Sequence, residues 1–146
     1  MQQRTLKIAI SGAGVAGPAL AHWLLRIGHV PTLIEQALAL RTGGYVIDFW
    51  GVGYRVAQRM GIEADLLKLG YQVQALDSVD RAGRVRARLR TELFQSLTDG
   101  RFTSLARSDV SATIHATLEG KVERLFNDSI AALDEHADGV RLQLIH

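Results

Sequence analysis

Gly12, Gly14 and Gly17 stand in the run Ser11-Gly12-Ala13-Gly14-Val15-Ala16-Gly17, and an acid, Glu35, follows further along the chain. Each glycine has its own physical use. Gly12 permits a tight turn, Gly14 leaves the backbone open to a diphosphate, and Gly17 lets a following helix pack close to a sheet. Glu35 lies near the spacing of about 20 residues at which a carboxylate meets the hydroxyls of a ribose. The chemistry these residues suit is the capture of a dinucleotide.

Such a site needs a strand before the glycines, a helix after them and a second strand ending at the acid. Leu6-Lys7-Ile8-Ala9-Ile10 is a short apolar run suited to a buried parallel strand. A helix is expected from about Val15 to Ile27, with Leu20, Leu24 and Ile27 sharing a face. Pro18 falls in its first turn, where a missing N–H costs little, and Gly28 takes the position just past its end. His29 to Glu35 reads as the second strand. A helix N-terminus then offers free N–H groups to the diphosphate, while the acid at the strand tip accepts from the sugar. The plain alternative, a glycine-rich turn in an ordinary α/β protein, is disfavoured by the order strand, glycines, helix, strand, acid.

Beyond Glu35 comes Arg41-Thr42-Gly43-Gly44-Tyr45-Val46-Ile47-Asp48-Phe49-Trp50, a glycine pair feeding an apolar segment. Two short helices are expected next, with Val52, Val56 and Met60 on one face before Gly61, and Ile62, Leu66 and Leu69 on one face before Gly70. Later, Leu105-Ala106-Arg107-Ser108-Asp109-Val110 reads as a strand entering a helix. Ser108 is the expected N-cap, Asp109 lies in the first turn, and Val110, Ile114 and Leu118 form the buried face. An arginine at that junction is placed to meet a phosphate, its ordinary alternative being a surface salt bridge.

In these three stretches the sequence resembles the FAD-dependent aromatic-ring monooxygenases of the para-hydroxybenzoate hydroxylase fold, and within them the tetracycline-inactivating branch. The resemblance runs over essentially the whole chain. It implies that Gly12, Gly14 and Gly17 face the diphosphate of FAD and Glu35 the adenosine ribose. It implies that Arg41 lies on the adenosine side, that Gly43 and Gly44 let the backbone pass close to the cofactor, and that Arg107 contacts the ribityl or phosphate portion. It further implies NAD(P)H as co-substrate and the transfer of oxygen from O2 to a small organic substrate, aromatic or polycyclic. A reductase of the same superfamily and a non-catalytic nucleotide-binding fragment are the alternatives. No residue of the chain stands out as a catalytic acid or base.

Members of that family run to several hundred residues and carry two further cofactor segments, an Asp-Gly stretch after the central sheet and a late Gly-Asp-Ala segment, neither of which is found here. The expectation is therefore the N-terminal portion of such an enzyme. Its fold class would be α/β: a Rossmann-like FAD-binding βαβ sheet with added antiparallel strands, incomplete at the C-terminus. The expected organisation is an FAD-binding βαβ unit over 1–70, a β-hairpin starting the substrate-side sheet over 71–100, and a return to the FAD-binding domain with a hairpin over 101–146. Uncovered apolar surface and a bare sheet edge make self-association or partial disorder the expected behaviour of such a portion.

The remaining segments bear less on chemistry. Tyr71, Val73 and Ala75 alternate with Gln72 and Gln74 as a strand would, and Asp80-Arg81-Ala82-Gly83 is a turn. Arg84, Arg86, Arg88 and Arg90 then alternate with Val85, Ala87 and Leu89, placing four guanidinium groups on one face of a strand. A solvated face that resists edge pairing is preferred over an anion-binding one. Lys121 to Phe126 reads as a strand, and Ile130–Leu133 with Val140–Leu144 as a hairpin turning near Asp138-Gly139.

Composition closes off other classes. The 146 residues are 47% hydrophobic and 22% charged, the balance of a globular domain, with a net charge of +2. Seventeen basic residues are scattered rather than clustered, which argues against nucleic acid. There is no cysteine, so disulfides and thiolate chemistry are excluded. The apolar stretch from Leu6 to Leu25 is broken by glycines, Pro18 and His22, which argues against a signal peptide or membrane span and for a cytoplasmic protein. His22, His29, His115, His136 and His146 show no metal-ligand spacing, so no metal is expected. His22 and Trp23 on the first helix are read as packing or surface residues, and His115, which could face a pocket, is read in preference as a helix-surface histidine.

Overall fold

The structure, a computed structural model, describes residues 4–71 and 73–146, and of residues 93 and 94 the backbone alone. It is a mixed α/β chain in two compact units, Met1–Thr42 with Ser111–His146, and Gly43–Val110.

In the first unit, strand β1 (Lys7–Ser11), helix α1 (Ala16–Arg26) and strand β2 (Val30–Glu35) follow one another. β1 and β2 pair in parallel, Lys7 opposite Val30 through Ser11 opposite Ile34, with α1 as the crossover. Strand β7 (Glu123–Phe126) joins the other side of β2, also parallel, giving the order β1-β2-β7. The core forms where this sheet meets the helices: Ile10, Ala13, Ala21, Leu33 and Leu118 are buried, with Leu24, Leu25, Val122 and Phe126 packed against them. Gly28 adopts φ +85° just past α1, and the N–H of His29 closes the turn on Leu24 O at 2.9 Å.

The face that α1 buries differs from the expected one. Pro18 and Ala21 are buried, whereas Leu20 and Ile27 are 50% and 52% exposed. The reason lies in Gly17. A Cβ there would sit 1.9 Å from Gly12 O, so the helix touches the turn at this point. The side of α1 facing the sheet is therefore set by Gly17, Ala21 and Leu24, and Leu20 and Ile27 project roughly 60–80° away from Gly17. Small residues took the burial that side-chain hydrophobicity assigned to leucine.

The first unit ends with the hairpin of β8 (Ile130–His136) and β9 (Gly139–Leu144), which turns at Ala137-Asp138 as its sequence indicates. Asp128 ties its base, accepting the N–H groups of Ser129, Ile145 and His146 on Oδ1.

In the second unit, strand β3 (Val46–Trp50) pairs antiparallel with β6 (Phe102–Ala106), Val46 opposite Ala106. Between them lie α2 (Gly51–Met60), α3 (Glu63–Leu69), the hairpin of β4 (Ala75–Val79) and β5 (Val85–Arg90), and α4 (Thr91–Leu97). α2 buries Tyr54, Ala57 and Met60 rather than the expected Val52, Val56 and Met60, and Val52 is 68% exposed. The Tyr54 ring lies 6.1 Å from that of Phe49, so an aromatic contact rotates the helix. Ile62 and Leu66 are buried as expected, whereas Leu69 is exposed at the end of α3. Tyr71 makes a single antiparallel bridge to Ser104 instead of opening a strand, which begins at Ala75; Gln72 lies outside the described residues.

The arginine ladder is solvated and paired with acids. Asp80 receives Arg84 and Arg86, and Asp77 receives Arg88 directly across the hairpin. Helix α5 (Arg107–Ala116) begins two residues earlier than expected, so Ser108 sits in its first turn rather than at its N-cap. Val110, Ile114 and Leu118 are buried as the periodicity requires.

A test of the second unit's packing lies at Gly70, where a Cβ would fall 2.0 Å from Thr103 Oγ1, itself buried. Gly70→Ala is expected to lower stability by about 1–3 kcal/mol. Adding Thr103→Ala should recover part of that loss by removing the clashing oxygen. Urea unfolding of the three proteins checks it, and an unchanged midpoint in Gly70→Ala would contradict the packing.

Candidate functional site

The turn between β1 and α1 is held from several directions. Gly12 adopts φ +103°, which favours glycine, and its N–H donates to Ile34 O at 2.7 Å. The side on which a Cβ would project from Gly12 is open, with nothing within 4 Å. Glu35, at the tip of β2, accepts the Ala13 N–H on Oε2 at 2.8 Å and the Ala37 N–H on Oε1 at 2.9 Å. One carboxylate thus fixes the turn to the strand beside it and orders the chain leaving that strand.

These bonds shift its acidity. The N–H groups of Ala13 and then Ala37 hold the Glu35 carboxyl below the usual 4.5, Arg41 adds a smaller pull, and burial opposes them. A lowered folded value means stabilisation that is present above the ordinary value and lost as pH falls through the folded one. Glu35→Gln places an NH2 group against one of the two N–H donors. It is expected to cost about 1–3 kcal/mol at neutral pH. Unfolding of both proteins from about pH 7 to about pH 3 should show the gap closing as the acid protonates. A gap that stays constant across that range would contradict the role.

Two side chains of α5 reach the same turn, and one of them, Ser111, was not singled out by sequence. Ser111 Oγ donates to Gly14 O and His115 Nε2 donates to Ala13 O, both at 2.8 Å. His115 was expected on a helix surface, yet it is only 2% exposed. The available signal was spacing. Ser111, His115 and Leu118 recur at i, i+4 and i+7 beside the apolar stripe of Val110 and Ile114.

The other expected residues fall as follows. Gly17 packs against the turn through its missing Cβ, and Arg41 is exposed in the loop after β2. In the second unit, Gly43 and Gly44 have φ +76° and +119° with open space where a Cβ would stand. Arg107 opens α5 and donates its backbone N–H to Tyr45 O at 3.1 Å, which brings the end of β6 beside the residue after the glycine pair.

The first-unit residues fit the diphosphate and ribose of a dinucleotide. The first turn of α1 holds no acidic residue, and among the described residues no side chain caps its N-terminal N–H groups, so those donors are free to meet an anion. Each Glu35 oxygen accepts one bond and keeps a further lone pair. Among the described residues, no group of three or more His, Asp or Glu is placed to hold a metal ion. No helix among them is long and apolar enough to cross a membrane.

No protein-family model matches the chain. It is 33% identical over 137 residues to a flavin-dependent monooxygenase of Legionella longbeachae, covering 94% of this chain and 35% of that protein. A FAD-dependent monooxygenase of Sarocladium schorii, asL4, is 30% identical over 147 residues, covering 95% and 33%. The crystal structure of tetracycline destructase Tet(55) superimposes with a TM-score of 0.82 at 30% identity, over 99% of this chain and 36% of that one. The chain spans about a third of the length of each. Along nearly all of its residues, then, it is a homologue of the flavin-dependent monooxygenases, in sequence and in fold.

Proposed function

We propose that the chain is the FAD-binding, N-terminal part of a monooxygenase that uses NAD(P)H and O2 to hydroxylate a small aromatic or polycyclic substrate. The observation that carries the reading is the turn at Ala13, fixed by Glu35 between two parallel strands at the N-terminus of α1. In this reading β1, α1, β2 and β7 form a Rossmann-like nucleotide site. Gly12, Gly14 and Gly17 leave room for the diphosphate, and the helix N-terminus receives its charge. Glu35 accepts from the adenosine ribose with its remaining lone pairs, Arg41 lies toward the adenosine, Gly43 and Gly44 let the backbone pass close to the cofactor, and Arg107 contacts its ribityl or phosphate portion. The β4–β5 hairpin begins the substrate-side sheet.

When bound, the flavin supplies the redox chemistry by which NAD(P)H and O2 deliver one oxygen atom to the substrate. This chain's residues bind and orient the adenosine end of the cofactor. The names of the relatives favour oxygen transfer over a simple reductase. The test follows NAD(P)H loss, peroxide and hydroxylated product separately in the full-length enzyme of which the chain is proposed to be a part, supplied with FAD, with and without O2, and in the 146-residue chain alone, from which no coupled product is expected. Oxygen-dependent product from a phenolic or polycyclic substrate panel is expected of the full-length enzyme. FAD reduction that consumes NAD(P)H equally well without O2 and yields no oxygenated product would overturn the reading.

A further inference from the structure

We propose that Ser111 and His115 are positioning residues for the diphosphate: by holding two successive carbonyls of the glycine turn, they aim its N–H groups at the ligand. The inference rests on the reading of this turn as the FAD site and assigns the helix-borne pair that sets its orientation.

The argument starts from the peptide unit. In a trans peptide, the C=O of one residue and the N–H of the next point in opposite directions. There are no cis peptides among the described residues. Ala13 C=O is drawn to His115 and Gly14 C=O to Ser111, both 2.8 Å away and both on α5. The N–H groups of Gly14 and Val15 are therefore directed away from α5. Two consecutive donors directed to one side form an anion-binding concavity, and they adjoin the uncapped start of α1. Glycine favours no single orientation for such peptides, since its backbone rotates freely. Left to itself, a turn this rich in glycine would sample several orientations, only one of which presents both donors.

The histidine carries a second mark of this role. Its Nε2 must hold a proton, because a carbonyl only accepts, while its Nδ1 is buried with no hydrogen-bond partner among the described residues. An unpartnered buried ring nitrogen is a cost to folding that a leucine would avoid. A residue kept for packing alone would have no use for that imidazole. The bond to Ala13 O is what the ring contributes, and with Glu35 on the Ala13 N–H it fixes both polar groups of that residue.

The test compares His115→Leu, which removes the donor, with His115→Gln, whose amide nitrogen reaches about as far as Nε2. Ser111→Ala and Ser111→Thr form the second pair. FAD and ADP dissociation constants are measured by fluorescence titration, and stability by urea unfolding. His115→Leu is expected to weaken FAD and ADP by similar factors of about ten, one aligned hydrogen-bonding peptide being worth that much. His115→Gln should restore most of the affinity, and Ser111→Ala should weaken both ligands while Ser111→Thr does not. The unfolding midpoint of His115→Leu should stay close to the parent's, so affinity and stability separate. Parental affinity in His115→Leu, or an affinity loss that merely tracks loss of stability and is not rescued by glutamine, would overturn the inference alone. A parent that binds neither FAD nor ADP would overturn the reading of the site and the inference with it.

Discussion

Alanine at position 17 is expected to destabilise the protein by about 3 kcal/mol or more, the upper range for overpacking, because its methyl group has nowhere to go. The new Cβ would lie 1.9 Å from Gly12 O, 3.1 Å from Gly12 C and 3.3 Å from Ile10 Cγ2. Two of these are backbone atoms in a turn that is itself bonded to β2, so no rotamer change relieves the contact. α1 must move away from β1, which uncovers Ala13 and Ala21 in the core and pulls the glycine turn out of register with Glu35. FAD affinity should fall together with stability. Gly28→Ala is the control: its φ of +85° makes alanine strained, but the surrounding space is open. That substitution should cost only about 1–2 kcal/mol, the penalty of left-handed backbone for an L-residue. Urea unfolding of the two variants would contradict the account if Gly28→Ala proved the more damaging.

Valine at position 14 is expected to act in the opposite way, sparing the fold and removing the ligand. Gly14 is half-buried in the turn, two residues before α1, and its carbonyl is already held by Ser111. A branched side chain there would stand where the diphosphate must approach the N–H groups at the head of α1. Each hydrogen bond to a charged group contributes about 1.5–3 kcal/mol. Loss of even two makes FAD and ADP bind about a hundredfold more weakly or worse. Stability should change by about 1 kcal/mol or less. Retention of FAD affinity by a folded Gly14→Val protein, measured by titration, would remove the diphosphate from this turn. The pair of glycines thus separates two roles that the motif combines, close packing at Gly17 and ligand approach at Gly14.

Much of this unit was legible in the sequence because its signals are local. The strand at Lys7–Ser11, the turn at Gly12, the helix stop at Gly28 and the acid ending β2 each depend on residues close in the chain. What was not legible depended on distant partners or on small side chains. The buried side of α1 is set by the contact of Gly17 with Gly12 O, and Ala21 gives a weak hydrophobic signal beside Leu20. His115 looks like a surface residue until the carbonyl it serves is known, and that carbonyl lies 102 residues earlier. Ser108 has the chemistry of an N-cap, but α5 begins at Arg107, where β6 has only just ended. Glu35 was placed correctly at the strand tip. Its hydrogen bonds to Ala13 and Ala37 belong to a loop geometry that no periodicity encodes.

The turn at Gly12–Gly17 is proposed to hold the ADP half of FAD. Competition against bound FAD tests it most directly, with ADP and FMN added separately to the purified protein. ADP carries the ribose and diphosphate assigned to Glu35 and the helix N-terminus, whereas FMN carries the isoalloxazine end without them. FAD is expected to bind, ADP to displace it competitively, and Glu35→Ala to weaken FAD and ADP by similar factors. Displacement by FMN but not by ADP, with Glu35→Ala leaving ADP untouched, would contradict that assignment.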